Sequence, residues 1–585
     1  MTNKINIETA RHSLSHVMAA AVMEMFPETK LAIGPAIENG FYYDFDLPRT
    51  LIPEDLAILE KKMRSITAGE YIFESRKEPS EKSIEFWKAA KQNYKVELVK
   101  DLGRSFDSAQ DDSGSNAVTF YDIKDAKSGK ILFVDLCAGP HVESTKELRG
   151  IGWKLDKIAG AYWKGDEKNK MLQRIYGLAF ESDKELAEFV KNKEEAEKRD
   201  HRNLGRELDL FSFHPESPGM PFWHEKGMII WNILEVFGKK LRKKHGYIEI
   251  KTPIMAKSIL FKTSGHWDHY KESMFYFDVE EESYCIKPMD CPFNIKIYQT
   301  KPRSYRDLPI RYTEIGRVFR NEKSGELAGL FRVREITQDD SHIFVAKEHV
   351  KSEIVRLLEM VKEFYGALTL KPEFFLSTRP DDFMGEIKAW DEAEKDLIEA
   401  LKSQKIDYKL KEKDGAFYGP KIDVNIKDVF GRSWQVATIQ LDFQLPGRFG
   451  CEYNDEDGKT KTPVLIHAAV FGSFERMIGI LIEHFGGVFP VWLAPVQAII
   501  LPIADRHIGY AKKVAEELAK DGIRVTVDDR SESVGRKIRD AEMQKIPFML
   551  IVGDKEEAES KVALRKYGEG DKGQMEIQEL IKSLK

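Results

Sequence analysis

The sequence predicts an α+β protein of several domains whose central part contains a mixed, largely antiparallel sheet. At 585 residues the chain is too long for one hydrophobic core, and roughly two to four domains are expected. Strand-like runs dominate the central part, which contains most of the candidate functional residues. From residue 494 onward β-type runs alternate with helical segments, which is typical of a small α/β domain. We therefore expect domains at 1–200, 201–492 and 493–585.

The composition is that of an ordinary globular protein, with 42% hydrophobic and 32% charged residues. No apolar run reaches about eighteen residues, so we expect no membrane span. The first residues lack the apolar core of a secretory signal, and four cysteines are too few for a disulfide framework. A net charge of −6 argues against a purely electrostatic nucleic-acid coat but permits a local RNA-binding patch. Together these features predict a cytoplasmic protein.

The first two hundred residues combine amphipathic helices with strands. RHSLSHVMAAAVMEMF and IPEDLAILEKKMRSI have apolar residues at helical spacing, whereas FYYDFDL has the pattern of a strand. Segment 106–117 is rich in Asp, Ser and Gly and is predicted to be an exposed loop. Segment 181–203 is charged and lacks glycine, so it predicts a solvated connector helix.

The central part begins with a helix and ends with a strand followed by a helix. The first is WNILEVFGKKLRKKHG and the last two form VLIHAAVFGSFERMIGILIEHF, with strands predicted at LPIRYTEIGRVFRNE, GLFRVREITQDDSHIF and WQVATIQLDFQL. In the C-terminal part QAIILPI, IRVTVDD and FMLIVGD predict parallel strands. The segments IGYAKKVAEELAKDG and SVGRKIRDAEMQK predict the helices between them.

Two arginine-centred stretches are candidates for binding phosphate. The sequence contains no GxxxxGK[ST] and no GxGxxG directly after one of the predicted strands, so P-loop and Rossmann nucleotide binding lack support. Instead Arg320 lies in FRNE and Arg476 in GSFERMIGILIEHF, in separate strand-to-helix contexts. Arginine presents a planar fork of donors that suits phosphate and carboxylate oxygens. A surface ion pair is the alternative interpretation for each.

Cys291 raises a question that its neighbours do not answer. It stands in KPMDCPFNI, and Cys285 is too far from it for the ligand spacing of a zinc ribbon or finger. From the residues alone, a metal site made with distant histidines is a guess, and an ordinary buried cysteine is the simpler interpretation.

These stretches resemble the three signature motifs of the class II aminoacyl-tRNA synthetases. The helix–strand segment ending at Pro253 resembles motif 1, FRNE followed by Arg332 resembles motif 2, and GSFER resembles motif 3. Further blocks are similar to the threonyl-tRNA synthetase family over nearly the whole chain: SGHWDHY, KPMDCPF, SYRDLPIRYTEIG, ITQDDSHIF, FYGPKID, TIQLDF, and the C-terminal series DDR, GRKIR, VGDKE and KVALR.

The resemblance implies a fold, a reaction and partners. The fold is a class II antiparallel-sheet catalytic core with an N-terminal α/β editing domain and a C-terminal α/β anticodon-binding domain. The reaction is the activation of L-threonine with ATP and its transfer to tRNA(Thr). A homodimer is implied by motif 1. Full-length bacterial relatives carry a small β-rich domain ahead of HSLSH, which begins here at residue 12, so we expect a chain that lacks that domain.

The resemblance also answers the question about Cys291, because it implies a zinc ion held by Cys291, His342 and His467. A catalytic zinc keeps an open coordination position. Threonine can offer its amino group and hydroxyl there, whereas valine has no hydroxyl, and a polar site left unpaired rejects it strongly. Asp340 matches the carboxylate that accepts from the threonine hydroxyl, and an acidic turn with Asp339 is the alternative.

Serine needs a second selection step, because a missing methylene is worth only roughly 1–3 kcal/mol. HSLSH and DLCAGPH resemble the editing domain of the bacterial-type enzyme, and this implies an editing site made of His12, His16, Asp135, Cys137 and His141. The four His and Cys side chains also look like a zinc set, and a related alanyl editing domain holds a metal, but we expect a metal-free site. Ala138 stands where the family often has arginine, which puts editing efficiency in question.

For the activation step the resemblance assigns Arg320 to the α-phosphate, Glu322 to adenine, and Arg332 and Arg476 to the outer phosphates or the adenine face. Mg²⁺ is expected to bridge the phosphates. Motif 2 normally ends in a phenylalanine that stacks on adenine, and Ile336 occupies that position here. Further matches around the threonine and nucleotide sites are Gln338, Tyr418, Lys421, Gln435 and Ser473.

The transfer step and the anticodon contacts rest on weaker matches. His266 in SGHWDHY matches a residue near the terminal ribose of tRNA, where a histidine of near-neutral pKa could assist deprotonation. A structural histidine beside Trp267 is the alternative. The residues that match anticodon contacts are Arg539, Glu556 and Arg565, and each could instead be a solvated charge.

Two other functions compete with the ligase. The first is a synthetase-like RNA-binding paralogue, which would be expected to lose motif arginines or metal ligands. The second is another class II enzyme such as the prolyl one, whose pocket does not need the Cys291, His342 and His467 set.

Overall fold

The computed structural model describes residues 6–107 and 117–584 and divides into two units, 1–194 and 195–585. The division falls within the helix Asp183–Arg199. The predicted loop at 106–117 lies almost entirely outside the described residues. Among the helices within these ranges, none combines the length and apolarity needed to cross a membrane.

The first unit packs the helix Ile7–Met25 against an antiparallel sheet, as HSLSH and FYYDFDL predict. The Asn6 side chain caps this helix by accepting a hydrogen bond from the Glu8 N–H at 2.9 Å. Most of the helix is buried, because its apolar face meets the sheet through residues such as Leu14, Val17 and Met18. The strands of this sheet are Lys30–Leu31, Ala36–Ile37, Gly40–Asp46, Met171–Phe180 and Gly152–Tyr162.

A second, three-stranded antiparallel sheet completes the first unit. It consists of Tyr71–Pro79, Ala117–Asp125 and Ile131–Leu136, with Ala117–Asp125 in the middle. The other helices of the unit are Pro53–Ala68, Ser80–Ala89, Asn93–Asp107 and the 3-10 turn Thr145–Gly150.

The predicted connector helix is wrong in one respect, because the segment forms two helices. Asp183–Arg199 and His201–Glu207 are separated at Asp200, whose backbone leaves the helical region. The Asp200 carboxylate accepts from the Arg202 N–H at 2.8 Å and so caps the second helix. An aspartate inside a charged, helix-like run therefore serves as a start signal.

An eight-stranded, mostly antiparallel sheet forms the centre of the second unit, as predicted. In spatial order its strands are Ile248–Glu249, Ile310–Phe319, Glu335–Val345, Val464–Ser473, Ser433–Asp442, Lys421–Lys427, Glu373–Ser377 and Tyr408–Lys411. Only the pair at each edge is parallel. The helices Val350–Ala367 and Phe474–Phe485 bury their apolar residues against one face of this sheet.

Further elements surround the sheet. The helices are Glu225–Lys244, Ile259–Ser264, His266–Tyr270, Cys291–Tyr298, Ile387–Ser403 and Leu445–Arg448. A three-stranded sheet contains Met255–Lys257, Glu282–Ile286 and Tyr276–Val279, and two small hairpin pairs are Phe211–Ser212 with Phe222–Trp223 and Tyr453–Asn454 with Thr460–Lys461.

The C-terminal part of the second unit has a five-stranded mixed sheet. Its spatial order is Val525–Val527, Ala498–Pro502, Phe548–Val552, Lys561–Lys566 and Gly570–Glu576. The first three strands are parallel, as predicted, and the last two are antiparallel strands that the sequence pattern did not reveal. Its helices are Ile508–Lys520, Val534–Met543, Asp554–Glu559 and Ile577–Leu584.

Candidate active site and metal centre

Three possible metal ligands from distant parts of the sequence meet in the second unit. Cys291 begins the helix Cys291–Tyr298, and His342 and His467 lie opposite each other on neighbouring antiparallel strands. One ligand atom from each residue lies within 4.8 Å of the others. All three side chains are buried. The strand register therefore creates a donor group that could hold a metal ion.

One nitrogen of this group is unpaired and available to a cation. Burial raises the pKa of Cys291 well above its usual value and lowers the pKa of His342 well below it. The buried His342 Nδ1 has no hydrogen-bond partner, whereas His467 Nε2 lies 2.9 Å from Asp442 Oδ2. A cation would favour the Cys291 thiolate and satisfy an unpaired nitrogen. Asp442, which the sequence did not single out, orients His467.

A buried network of three carboxyl groups and one lysine adjoins the metal-ligand group. Lys287 Nζ lies 2.5 Å from Asp290 Oδ1 and 3.8 Å from Glu314 Oε2. Burial, followed by the charges of Asp290 and Glu314, raises the pKa of Asp340 well above its usual value. Burial also raises the pKa of Glu314 to about 7. One lysine therefore faces three carboxyl groups, and their mutual repulsion adds to burial in raising the pKa values of Glu314 and Asp340.

Tyr418 and Gln440 form a polar wall beside the histidines. The Tyr418 hydroxyl donates to Gln440 Oε1 at 2.6 Å, and its ring centroid is 5.2 Å from that of His467. Gln440 is the cross-strand partner of His467. The sequence interpretation missed Gln440, although alternation in TIQLDF places it on the same strand face as Asp442 and could have flagged it.

His266 differs from expectation in its protonation. The ring is buried, and its Nδ1 lies 2.7 Å from Ser264 Oγ. Burial, followed by the charges of His467 and Arg320, lowers the pKa of His266 to about 3. The expected near-neutral pKa is therefore wrong, because the side chain is withdrawn from water. His266 is neutral throughout the physiological range and can accept a proton only as a weak base.

Arg320 and Arg332 lie close enough to Arg476 for their charges to act on it. Burial, followed by the positive charges of Arg320 and Arg332, lowers the pKa of Arg476 to about 10. Arg476 donates from Nε to the Phe331 carbonyl at 2.9 Å and from Nη1 to the Gln435 carbonyl at 2.6 Å. Backbone carbonyls therefore fix this guanidinium beside two others, an arrangement that suits an anion.

The other two arginines differ in how tightly they are held. Arg320 Nε makes one long hydrogen bond, at 3.4 Å, to the Pro288 carbonyl. Arg332 Nε donates to Glu322 Oε2 at 2.9 Å, and its Nη2 lies 2.6 Å from Glu326 Oε2. Arg320 is therefore the arginine of this group with the fewest protein contacts to replace when an anion binds.

The remaining predicted residues of this region lie on the same sheet. Ser473 caps the motif 3 helix by accepting from the Arg476 N–H at 3.2 Å, and it is the cross-strand partner of Gln338. Lys421 Nζ is 3.0 Å from Asp423 Oδ2, and Gln435 Nε2 donates to Asp423 Oδ1 at 2.6 Å. The neighbouring position 336 is an isoleucine paired with Val318.

A second cluster of His and Cys side chains lies in the first unit. Cys137 Sγ is 3.3 Å from His12 Nε2 and 3.3 Å from His141 Nε2. Together with His16 these side chains place four donor atoms within 4.8 Å of one another, so this cluster could also hold a metal ion. Burial raises the pKa of Cys137 to about 11 and lowers the pKa values of the three histidines. The histidines are therefore neutral and the thiol protonated.

Asp135 connects this cluster to two buried residues that sequence reasoning missed. His16 Nε2 lies 3.6 Å from Asp135 Oδ2. The Tyr43 hydroxyl donates to Asp135 Oδ2 at 2.6 Å, and Lys95 forms a buried ion pair with Asp135 and donates to the Tyr43 oxygen at 3.1 Å. Tyr43 and Lys95 lie in segments that looked structural, so only their tertiary contacts identify them.

The three predicted anticodon residues are not all in one place. Arg539 lines a surface cavity together with Glu542 and Tyr567, and Arg565 contacts Glu542 Oε1 at 3.4 Å. Glu556 is largely buried in another helix, where it accepts from the Gly553 N–H and the Gln574 amide. Arg539 and Arg565 therefore share a surface near Glu542, whereas Glu556 contacts different residues.

Family profiles match three segments of the chain. The profile described as the tRNA synthetase class II core domain (G, H, P, S and T) matches residues 270–485. The anticodon binding domain matches 497–585, and the threonyl and alanyl tRNA synthetase second additional domain matches 118–176. These segments contain the arginine group, the C-terminal sheet and the Cys137 motif, respectively.

Known proteins are similar over larger parts of the chain. The structure of the RNA binding domain of threonyl-tRNA synthetase from Cryptosporidium parvum has a TM-score of 0.64 and 41% identity, covering 66% of this chain and 97% of its own. Prolyl-tRNA synthetase from Giardia lamblia, with a TM-score of 0.55 over 67% of this chain and 76% of its own, is 19% identical and shares the fold alone. The threonine–tRNA ligase of Clostridium tetani is 49% identical over 577 residues, which are 99% of this chain and 87% of the relative. This protein therefore belongs to the threonine–tRNA ligase family of class II tRNA synthetases.

Proposed function

We propose that this protein activates L-threonine with ATP and transfers it to tRNA(Thr). The observation that carries the proposal is the group Cys291, His342 and His467 in the second unit, which also contains the three neighbouring arginines. A polar amino-acid site and an anion site in one unit are what the joining of an amino acid to a nucleotide requires. Family membership supports the same reaction.

Cys291, His342 and His467 would hold a zinc ion. One thiol and two imidazoles suit zinc better than magnesium or calcium, which take oxygen ligands. When bound, zinc supplies an open position for the amino group and hydroxyl of threonine. The chain itself supplies Asp340 for the hydroxyl, and the Tyr418–Gln440 pair and Gln338 line the site. These polar groups select threonine over valine because valine leaves them unpaired.

Activation joins the threonine carboxylate to the α-phosphate of ATP and releases pyrophosphate, with Mg²⁺ accompanying the nucleotide. The chain contributes positioning and charge neutralisation. Arg320 would contact the α-phosphate, Arg332 and Arg476 the outer phosphates or the adenine face, and Glu322 the adenine. The loosely held Arg320 is free to reorient toward the phosphate. Lys421, Gln435 and Ser473 would support the nucleotide side of the site.

Amino-acid-dependent ATP–pyrophosphate exchange tests this function. We expect exchange with threonine, some with serine, and none with valine or proline. Exchange with proline would assign the prolyl reaction instead. A folded, zinc-loaded protein that exchanges with no amino acid would favour the RNA-binding paralogue.

Replacing Ile336 with phenylalanine is expected to lower the KM for ATP. An aromatic ring stacks on a base more strongly than an aliphatic side chain, by about 1 kcal/mol, which corresponds to about fivefold. Exchange kinetics at varied ATP concentration measure the effect. Ile336→Val is the control and should leave the KM nearly unchanged, and an unchanged KM in Ile336→Phe would show that adenine does not lie against this position.

The first unit would hydrolyse seryl-tRNA(Thr). His12, His16, Cys137 and His141 surround one spot, and the Lys95–Asp135–Tyr43 group backs it. Since burial keeps the histidines neutral, His12 can accept a proton from an attacking water. The protonated thiol of Cys137 would orient groups rather than attack as a thiolate.

His12→Ala is expected to reduce hydrolysis of seryl-tRNA(Thr) by about a hundredfold or more, the typical contribution of a positioned general base. Threonine-dependent exchange should remain unchanged, because that reaction uses the other unit. Cys137→Ser is the informative companion: a hydroxyl preserves an orienting role, so most hydrolysis should survive. Equal loss in both variants would instead indicate a thiolate nucleophile or a metal ligand set.

The proposal also covers the domain bounds, the oligomeric state, the anticodon contacts and the cellular setting. We divide the chain at 1–200, 201–492 and 493–585. Exposed apolar side chains on the motif 1 segment, at Val236 and Ile248, and at Ile254 directly after it support a homodimer, which sedimentation would report as twice 67.3 kDa. Arg539, Glu556 and Arg565 would contact the anticodon. Four free cysteines support a reducing, cytoplasmic setting.

A further inference from the structure

A buried histidine outside the motifs joins two of them. His201 is the first residue of the short helix His201–Glu207 and is 2% exposed. Its Nδ1 lies 2.7 Å from Glu483 Oε1, and its Nε2 lies 3.0 Å from the backbone nitrogen of Leu330. The His201 N–H also donates to Glu483 Oε1 at 3.2 Å. Glu483 belongs to the motif 3 helix, and Leu330 to the segment between the two parts of motif 2.

These contacts fix the tautomer of His201. A backbone N–H can only donate, so Nε2 must present its lone pair to Leu330. Nδ1 therefore carries the hydrogen and donates it to the Glu483 carboxylate. With both ring nitrogens engaged, the imidazole has one orientation, and it acts as a fixed spacer between a carboxylate and a peptide group.

The same contacts argue against a metal ion here. Asp200, His201 and Glu483 bring three possible ligand atoms together. A cation would have to displace the hydrogen that His201 gives to Glu483 or the one that it receives from Leu330. The group is thus already satisfied as a hydrogen-bonded link.

The peptide that His201 holds lies directly beside the arginine group. Leu330 and Phe331 form a buried 3-10 turn with Gly329. The Phe331 carbonyl accepts from Arg476 Nε at 2.9 Å. The centroid of the Phe331 ring is 4.2 Å from the centroid of the His201 ring. Arg332 is the next residue. His201 therefore contacts one side of the turn, and the carbonyl on the other side of the turn binds Arg476.

The helix Phe474–Phe485 carries both Glu483, which His201 contacts directly, and Arg476, which the turn contacts. Arg476 lies near its start and Glu483 near its end, on the same face because seven residues make nearly two full turns. His201 leaves no space beside the turn: a Cβ on Gly329 would lie 2.3 Å from His201 Nε2. A displacement of the imidazole would thus move the turn relative to the helix that carries Arg476.

We propose that His201 is a positioning residue that sets the placement of Arg476 and Arg332 for ATP by fixing the Gly329–Phe331 turn. The inference rests on the proposed function, in which these arginines bind ATP. It predicts an effect on ATP use without an effect on threonine binding, because the threonine residues Asp340 and Tyr418 are not part of the His201 contacts.

Two substitutions separate the contacts of His201. In His201→Asn the amide can still donate to Glu483 but is too short to reach Leu330, whereas in His201→Gln the longer side chain can accept from Leu330. Both variants and the unchanged protein would be assayed by ATP–pyrophosphate exchange at varied ATP and at varied threonine. Active sites would be titrated by adenylate formation, and Tm would be measured for each.

We expect His201→Asn to raise the KM for ATP about five- to tenfold, with the KM for threonine within about twofold, and His201→Gln to be less affected. A lower Tm with both KM values unchanged would overturn the proposal, as would a parallel rise of both. If His201→Asn does not fold, Gly329→Ala tests the same turn from the other side, with the same expected result. Absence of threonine-dependent exchange in the unchanged protein would instead overturn the proposed function.

Discussion

Replacing Cys291 with alanine is expected to remove the bound zinc and to lower threonine-dependent exchange by about a hundredfold or more. Loss of an outer-shell partner alone typically costs 10- to 100-fold in metal affinity or activity, and Cys291 is a direct ligand in the proposed site. The two remaining ligands are buried histidines, and an imidazole ligand carries no negative charge to replace that of a thiolate. Metal analysis of the purified variant and exchange kinetics measure the two effects.

Cys285→Ala is the matched control. Cys285 is also a buried free cysteine, six positions earlier, but it lies in an apolar cluster with Phe261, Met274 and Phe293. Its removal should leave zinc content and exchange nearly unchanged while lowering stability modestly. Retention of zinc by Cys291→Ala would assign the metal to another group, and the His12, His16, Cys137 and His141 cluster would be tested next.

Replacing Arg320 with alanine is expected to reduce kcat for exchange by about 10²- to 10³-fold, the usual cost of removing one donor that stabilises developing charge. The unbound protein should lose little stability, because this side chain makes one long hydrogen bond to a carbonyl. A large kinetic effect without a change in Tm is the signature of a residue that acts on the reacting phosphate. Arg320→Lys should recover only part of the rate, since a lysine lacks the planar fork.

Arg317→Ala provides the comparison for Arg320. Arg317 lies on the strand Ile310–Phe319, which ends just before Arg320, but its side chain is exposed and pairs with Glu335. Its loss should change kcat by less than about twofold, because exposed ion pairs contribute little. Equal losses in both variants would mean that net positive charge, rather than a specific phosphate contact, determines the rate.

The local sequence pattern predicts the helices and strands of this protein better than it predicts which of them pack together. The helix Ile7–Met25 and the strands around FRNE and TIQLDF are confirmed, because apolar spacing reports directly on which side of an element is buried. The last two strands, Lys561–Lys566 and Gly570–Glu576, escaped because charged residues interrupt their alternation. The helix start at Asp200 was likewise hidden in a charged run.

The metal-ligand group shows what sequence pattern cannot supply. His342 and His467 face each other because of strand register, and register depends on the whole sheet rather than on either segment. Only a family resemblance joined them to Cys291 in advance. Lys95 and Tyr43 were missed for the same reason: each is ordinary within its own segment and becomes informative only through contacts with distant residues.

The wide separation of Cys291, His342 and His467 in the sequence also bears on biosynthesis. A ribosome exposes the first two long before the strand Val464–Ser473, which must then insert between Glu335–Val345 and Ser433–Asp442. Until that insertion the nascent chain offers an incomplete ligand set. A metal that needs all three donors would therefore be captured only after the central sheet has closed, and its presence would mark chains whose central sheet is complete.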